Sequence, residues 1–60
     1  FALGLAAEAG NAPIVEMLLK AGANIKMKND AGFDALFMAT VYKHFEVQKL
    51  LLDAQNSNPS

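Results

Sequence analysis

His44 is the only histidine in the 60-residue chain, and cysteine is absent. An imidazole can shuttle protons near neutral pH or ligate a metal, but both jobs need company. Here no second histidine and no thiolate can complete a metal site or be activated as a nucleophile. The remaining ionisable groups are Glu8, Glu16, Asp30, Asp34, Glu46 and Asp53, with five lysines and no arginine. Two of these carboxylates could share general acid–base work only if a cleft brought them together. Each instead has a local account. Asp34 precedes a helical pattern as a cap, Glu16 and Glu46 are exposed helix charges, and Asp30 lies in a polar turn. Glu8 and Asp53 fall near helix ends. Gly22-Ala23-Asn24-Ile25 lacks the Lys-Ser/Thr that makes a glycine-rich turn a phosphate loop. The expectation is a non-enzyme with no metal and no cofactor.

The formal net charge is −1, with no basic stripe to follow a phosphate backbone, so nucleic acid is not an expected partner. The longest nearly unbroken apolar run, Ala35 to Tyr42, falls far short of the roughly 20 residues of a membrane span. No signal-peptide pattern opens the chain, and a cytoplasmic location is favoured over secretion. The absence of cysteine leaves the redox compartment unassigned. A chain of this length buries only about 60 % of its unfolded surface and is marginal alone. Yet 53 % of residues are hydrophobic and mean hydropathy is +0.20, an excess that predicts faces meeting something outside the chain. The first residue is Phe1 rather than Met, which leads one to expect a fragment, a processed product or an excised piece.

The positioning elements are helical. Ala2 to Ala9 are good helix formers apart from Gly4. Gly10 breaks that run, Asn11 caps the next, and Pro13 suits a first turn. Ile14, Met17, Leu18 and Ala21 recur at i, i+3, i+4 and i+7, which predicts one continuous buried face with Met17 in the core. Glu16 and Lys20 make an i, i+4 pair on the solvated side. Gly22, just past the helix, and Gly32, ending the cluster Lys28-Asn29-Asp30-Ala31, bracket a joint. Asp34 then caps a helix over 35–42. Lys43, His44 and Phe45 form a turn, and Val47, Leu50, Leu51 and Ala54 repeat the earlier face. Predicted helices span 2–9, 13–21, 35–42 and 46–54, with 55–60 a flexible tail.

Sliding the chain by 33 residues exposes a repeat. Ala2, Leu3, Ala6, Leu18, Leu19 and Ala21 fall on Ala35, Leu36, Ala39, Leu51, Leu52 and Ala54. Leu5 pairs with Met38, Ala7 with Thr40, Ile14 with Val47 and Met17 with Leu50. A period near 33 residues with two short helices and a turn is an ankyrin-type period. Leu5-Ala6-Ala7-Glu8-Ala9-Gly10-Asn11, followed by Ile14-Val15-Glu16-Met17-Leu18-Leu19-Lys20-Ala21-Gly22-Ala23-Asn24-Ile25, resembles the core of an ankyrin repeat. Asn29-Asp30-Ala31-Gly32 resembles the start of the next, with Asn29 where the family usually has Asp. The implied fold is all-α: one repeat lacking its start over 1–27 and a second over 28–54, stacked as a short solenoid with a hairpin-like loop between them.

The departures from the family pattern are informative. The helix start Thr-Pro-Leu-His appears as Phe1-Ala2-Leu3-Gly4 and Asp34-Ala35-Leu36-Phe37, so its inter-repeat hydrogen bonds are weakened or replaced. Lys43 stands where a glycine usually turns, at a modest cost in strain. Gln55-Asn56 replaces Gly-Ala, so the array either ends here or has diverged. His44 matches a position usually held by histidine, which implies a structural role. The resemblance implies protein binding through turn tips and the exposed side of the first helix of each repeat. On this chain those positions are Lys28, Asp30, Ala31, Phe33, Val41 and Tyr42, with Glu8 and Ala9 from the first unit, and Met27 in the joint is a further contact candidate. Phe37 and Phe45 are expected to supply aromatic packing. The competing account has Phe33 and Tyr42 buried by a neighbouring repeat. The leading function is a protein-interaction segment of a longer scaffold or adaptor. The alternatives are a self-associating or structural helical piece, and the targeting arm of a larger enzyme.

Overall fold

The computed structural model describes residues 1–57. Its elements in order are α1 (Ala2–Ala9), α2 (Ala12–Lys20), α3 (Ala35–Val41) and α4 (Phe45–Ser57). The expected helices are all present, with shifted ends. Pro13 sits in the first turn of α2, and Asn11 Oδ1 accepts the Ile14 N–H at 3.3 Å. Asp34 Oδ1 does the same for the Phe37 N–H at 2.7 Å. Phe45 opens α4 rather than belonging to the preceding turn, and α4 continues through 55–57, where the sequence pattern placed a tail. The last part of that expected tail, 58–60, lies outside the described residues.

Three helix ends share one closing geometry. After α1, the Gly10 N–H reaches the Ala7 carbonyl and the Asn11 N–H that of Ala6. After α2, Gly22 and Ala23 donate to Leu19 and Leu18, and after α3, Lys43 and His44 donate to Thr40 and Ala39. This paired 5→2 and 6→1 closure requires a left-handed residue at its centre. Gly10 (φ 73) and Gly22 (φ 91) supply it without penalty, and Lys43 (φ 61) adopts it despite its Cβ.

α1 and α2 form a first unit, α3 and α4 a second. α1 packs on α3 and α2 on α4, with the two helices of each unit also in contact. The core comprises Leu3, Ala6 and Ala7 of α1, Ala12 and Val15 of α2, Ala35 and Ala39 of α3, and Val47 and Leu51 of α4. Alanines dominate the inner helices, which lets α1 and α3 approach closely, while Val15, Val47 and Leu51 are the largest fully buried side chains.

The predicted face of α2 needs correction. Met17 is 66 % exposed, not core, and Ala21 is also exposed, whereas Val15, outside the predicted stripe, is fully buried. The cause is stacking direction. Ile14 is 43 % exposed while its counterpart Val47 is 1 % exposed, because α4 lays that edge against α2 and, among the described residues, no helix lies on the same edge of α2. Periodicity identifies an apolar stripe but not which flank a neighbour covers.

Candidate interaction surface

The loop joining the units is built from its own hydrogen bonds. Asn24 Oδ1 accepts the Lys26 N–H at 2.9 Å, and Lys28 and Asp34 form an isolated antiparallel bridge. Between them the Asn29 N–H donates to the Phe33 carbonyl at 2.9 Å, and the Gly32 N–H to the Asn29 carbonyl. Asn29 Oδ1 accepts two further amides, Ala31 N–H at 2.9 Å and Phe33 N–H at 3.0 Å. One short side chain thereby satisfies the backbone of the turn from inside, as asparagine commonly does. Gly32, at φ 86, completes the reversal. Asp30 and Ala31, at the tip, are exposed. Asn29 was legible as a turn residue, but its double acceptor role was not.

Met27, Lys28, Asp30, Ala31, Phe33, Val41 and Tyr42 are all exposed. Five lie on the loop. Val41 ends α3 and Tyr42 caps it, with its N–H on the Met38 carbonyl at 3.0 Å. The Phe33 ring stacks on Phe37, centroids 4.3 Å apart and planes 12° apart, which fastens the loop's descending limb to α3. Tyr42 lies against His44 at 6.2 Å. Of the first unit's contributions, Ala9 is exposed and Glu8 half-buried. Phe37 does pack ring on ring, against Phe33, while staying exposed on its other side; Phe45 corrects the expectation of aromatic packing, being exposed, as is Leu52. No local pattern separates them from core residues, because their exposure depends on what stacks beside the second unit.

His44 is positioned structurally. Its Nε2–H donates to the Glu8 carbonyl at 2.9 Å, across 36 residues of chain. The carbonyl can only accept, so this bond places a hydrogen on Nε2. A Cβ added at Gly10 would come within 2.5 Å of His44 Nδ1, so the glycine is also the seat of the imidazole. Gly4 serves a similar purpose: a Cβ there would meet the Phe1 ring at 2.7 Å. Phe1, Gly4, Leu5 and Glu8, with Asn29 and Met38, line a shallow open pocket between α1 and the loop. Among the described residues, no three His, Cys, Asp or Glu side chains cluster to hold a metal, and no helix is long and apolar enough to cross a membrane.

Two stacked helix-turn-helix units, a loop between them and alanine-lined inner helices define a helical repeat module. Over residues 1–60 the chain matches the family model for ankyrin repeats, described as three copies, and it belongs to that family. No curated protein and no solved structure gives a significant match. Ankyrin repeats are generally protein–protein interaction modules.

Proposed function

We propose that this chain is a protein-binding segment of a longer scaffold or adaptor, engaging its partner through Met27, Lys28, Asp30, Ala31, Phe33, Val41 and Tyr42. The observation that carries this reading is a loop whose turn amides are bonded by Asn29 while large apolar side chains beside it stay exposed. A pre-organised loop loses little conformational entropy on binding, and exposed aromatics are efficient anchors. Lys28 and Asp30 would give polar definition at the rim. Recognition would be shape complementarity without chemistry.

The test uses the chain as bait, with Phe33→Ala combined with Tyr42→Ala as the comparison. Proteins retained by the wild type should fall at least about tenfold with the double variant, a loss of roughly 1.4 kcal/mol, at unchanged helicity by circular dichroism. Equal retention would overturn the assigned surface. Loss of helicity would show that the two rings hold the fold together and are not contacts.

A further inference from the structure

The pocket beside α1 contains a charge that the chain itself does not answer. Phe1, Gly4, Leu5 and Glu8 recur at helical spacing along one face of α1, and Met38 of α3 with Asn29 of the loop close the other side. Both units contribute walls, so the pocket lies on the seam within the chain and not on an outer flank. Its volume is about 90 Å³, several times what a single water needs. Glu8 is the one lining residue with an ionisable side chain. Its backbone carbonyl is taken by His44, but its carboxylate has no ion pair or hydrogen bond among the described residues. Glu16 differs, having Lys20 at 3.4 Å. Glu8 is also half-buried, in a wall that is apolar apart from Asn29.

We propose that this pocket takes a basic side chain, lysine or arginine, of the bound partner protein. The methylene stem suits Phe1, Leu5 and Met38, and the cationic head reaches the Glu8 carboxylate, the division such side chains favour. In a half-buried apolar setting a fixed opposite charge attracts more strongly than in open water. An acidic side chain is repelled there. An apolar one desolvates the carboxylate and leaves it without a partner. Asn29 Oδ1 is committed to the Ala31 and Phe33 amides, so its NH2 is the end left to donate to a carbonyl of the partner's backbone. That the occupant belongs to a protein rests on the proposed function. The preference for a basic side chain does not, and its test needs no partner.

The probes are the Nα-acetyl methylamides of lysine, arginine and norleucine, each titrated at constant ionic strength into the isotope-labelled chain and followed by amide shifts. The lysine or arginine probe should shift Gly4, Leu5, Glu8 and Asn29, with half-saturation at about 10 mM. Norleucine keeps the lysine stem without the charge and should bind roughly fivefold more weakly. Glu8→Gln removes the charge but keeps the carbonyl that His44 uses, so lysine should fall to the norleucine level at unchanged helicity. The comparison of lysine with norleucine on the wild type stands whether or not that variant folds. Equal binding of lysine and norleucine would overturn the proposal. So would equally large shifts around Glu16 and Glu46, which would show general attraction to carboxylates, or no shift at Gly4 with any probe. A basic preference found together with equal retention in the bait experiment keeps the pocket and removes the Phe33 and Tyr42 surface; the reverse pair of results removes the pocket alone.

Discussion

Replacing Lys43 with glycine should make the protein more stable, although it removes a side chain and adds none. Lys43 holds φ 61 at the centre of the closure of α3, where its N–H and that of His44 bond to Thr40 and Ala39. The backbone is thus committed to the left-handed region whatever residue is present. For an L-residue that conformation costs about 1–2 kcal/mol, which glycine does not incur. Against this, glycine's freer unfolded chain costs roughly 0.5–1 kcal/mol. The side chain is exposed and forms no ion pair among the described residues, so little packing or electrostatic energy is lost. The net gain is about 0.5–1 kcal/mol, or roughly 2–8 °C in Tm for a domain of this size. Thermal melts followed at 222 nm, with Lys43→Ala as control, check it. Alanine keeps the Cβ and should melt within about 0.5 kcal/mol of the wild type. If glycine and alanine behave alike, the strain assigned to Lys43 is refuted.

The converse substitution, Gly10→Ala, places a Cβ into the His44 ring at a φ of 73 and should cost about 2–3 kcal/mol by urea denaturation. Leu51→Ala, at one of the largest fully buried side chains, should cost about 2–5 kcal/mol in the same assay. Asn29→Ala removes the acceptor for two loop amides and should speed hydrogen exchange at Ala31 and Phe33, while Asn29→Asp, which keeps the acceptor, should preserve their protection. Glu16→Gln should shift the melt by less than about 0.5 kcal/mol, since the Glu16–Lys20 pair at 3.4 Å is exposed on both sides.

Helix positions, both side-chain caps and the 33-residue register were readable because each rests on local chemistry. Asn11 and Asp34 cap whatever helix follows them, and Gly10 and Gly22 mark where left-handed backbone is needed. Even the misfit at Lys43 was legible, since the second unit aligns with the first. Burial was less so. Ile14 and Val47 occupy equivalent places in the pattern, yet only Val47 has a helix laid over it. Met17 and Phe45 were misread for the same reason: a repeat's outer flank is indistinguishable from its inner one in a single sequence. The extension of α4 through 55–57 reflects a helix carried past its apolar register by residues with no glycine among them to stop it.

The reach of His44 to the Glu8 carbonyl has a consequence for how the molecule comes apart. The two units meet at a single interface, and this bond ties the second unit's inter-helix turn to the end of the first unit's opening helix. In a one-dimensional array, cooperativity resides in such nearest-neighbour terms and not in the repeats themselves. With one interface between the units of the described residues, opening either unit strips the alanine faces of the other, leaving no half-folded state of these residues with a covered core. Unfolding should therefore be all-or-none, with a denaturant slope reporting the surface of both units together.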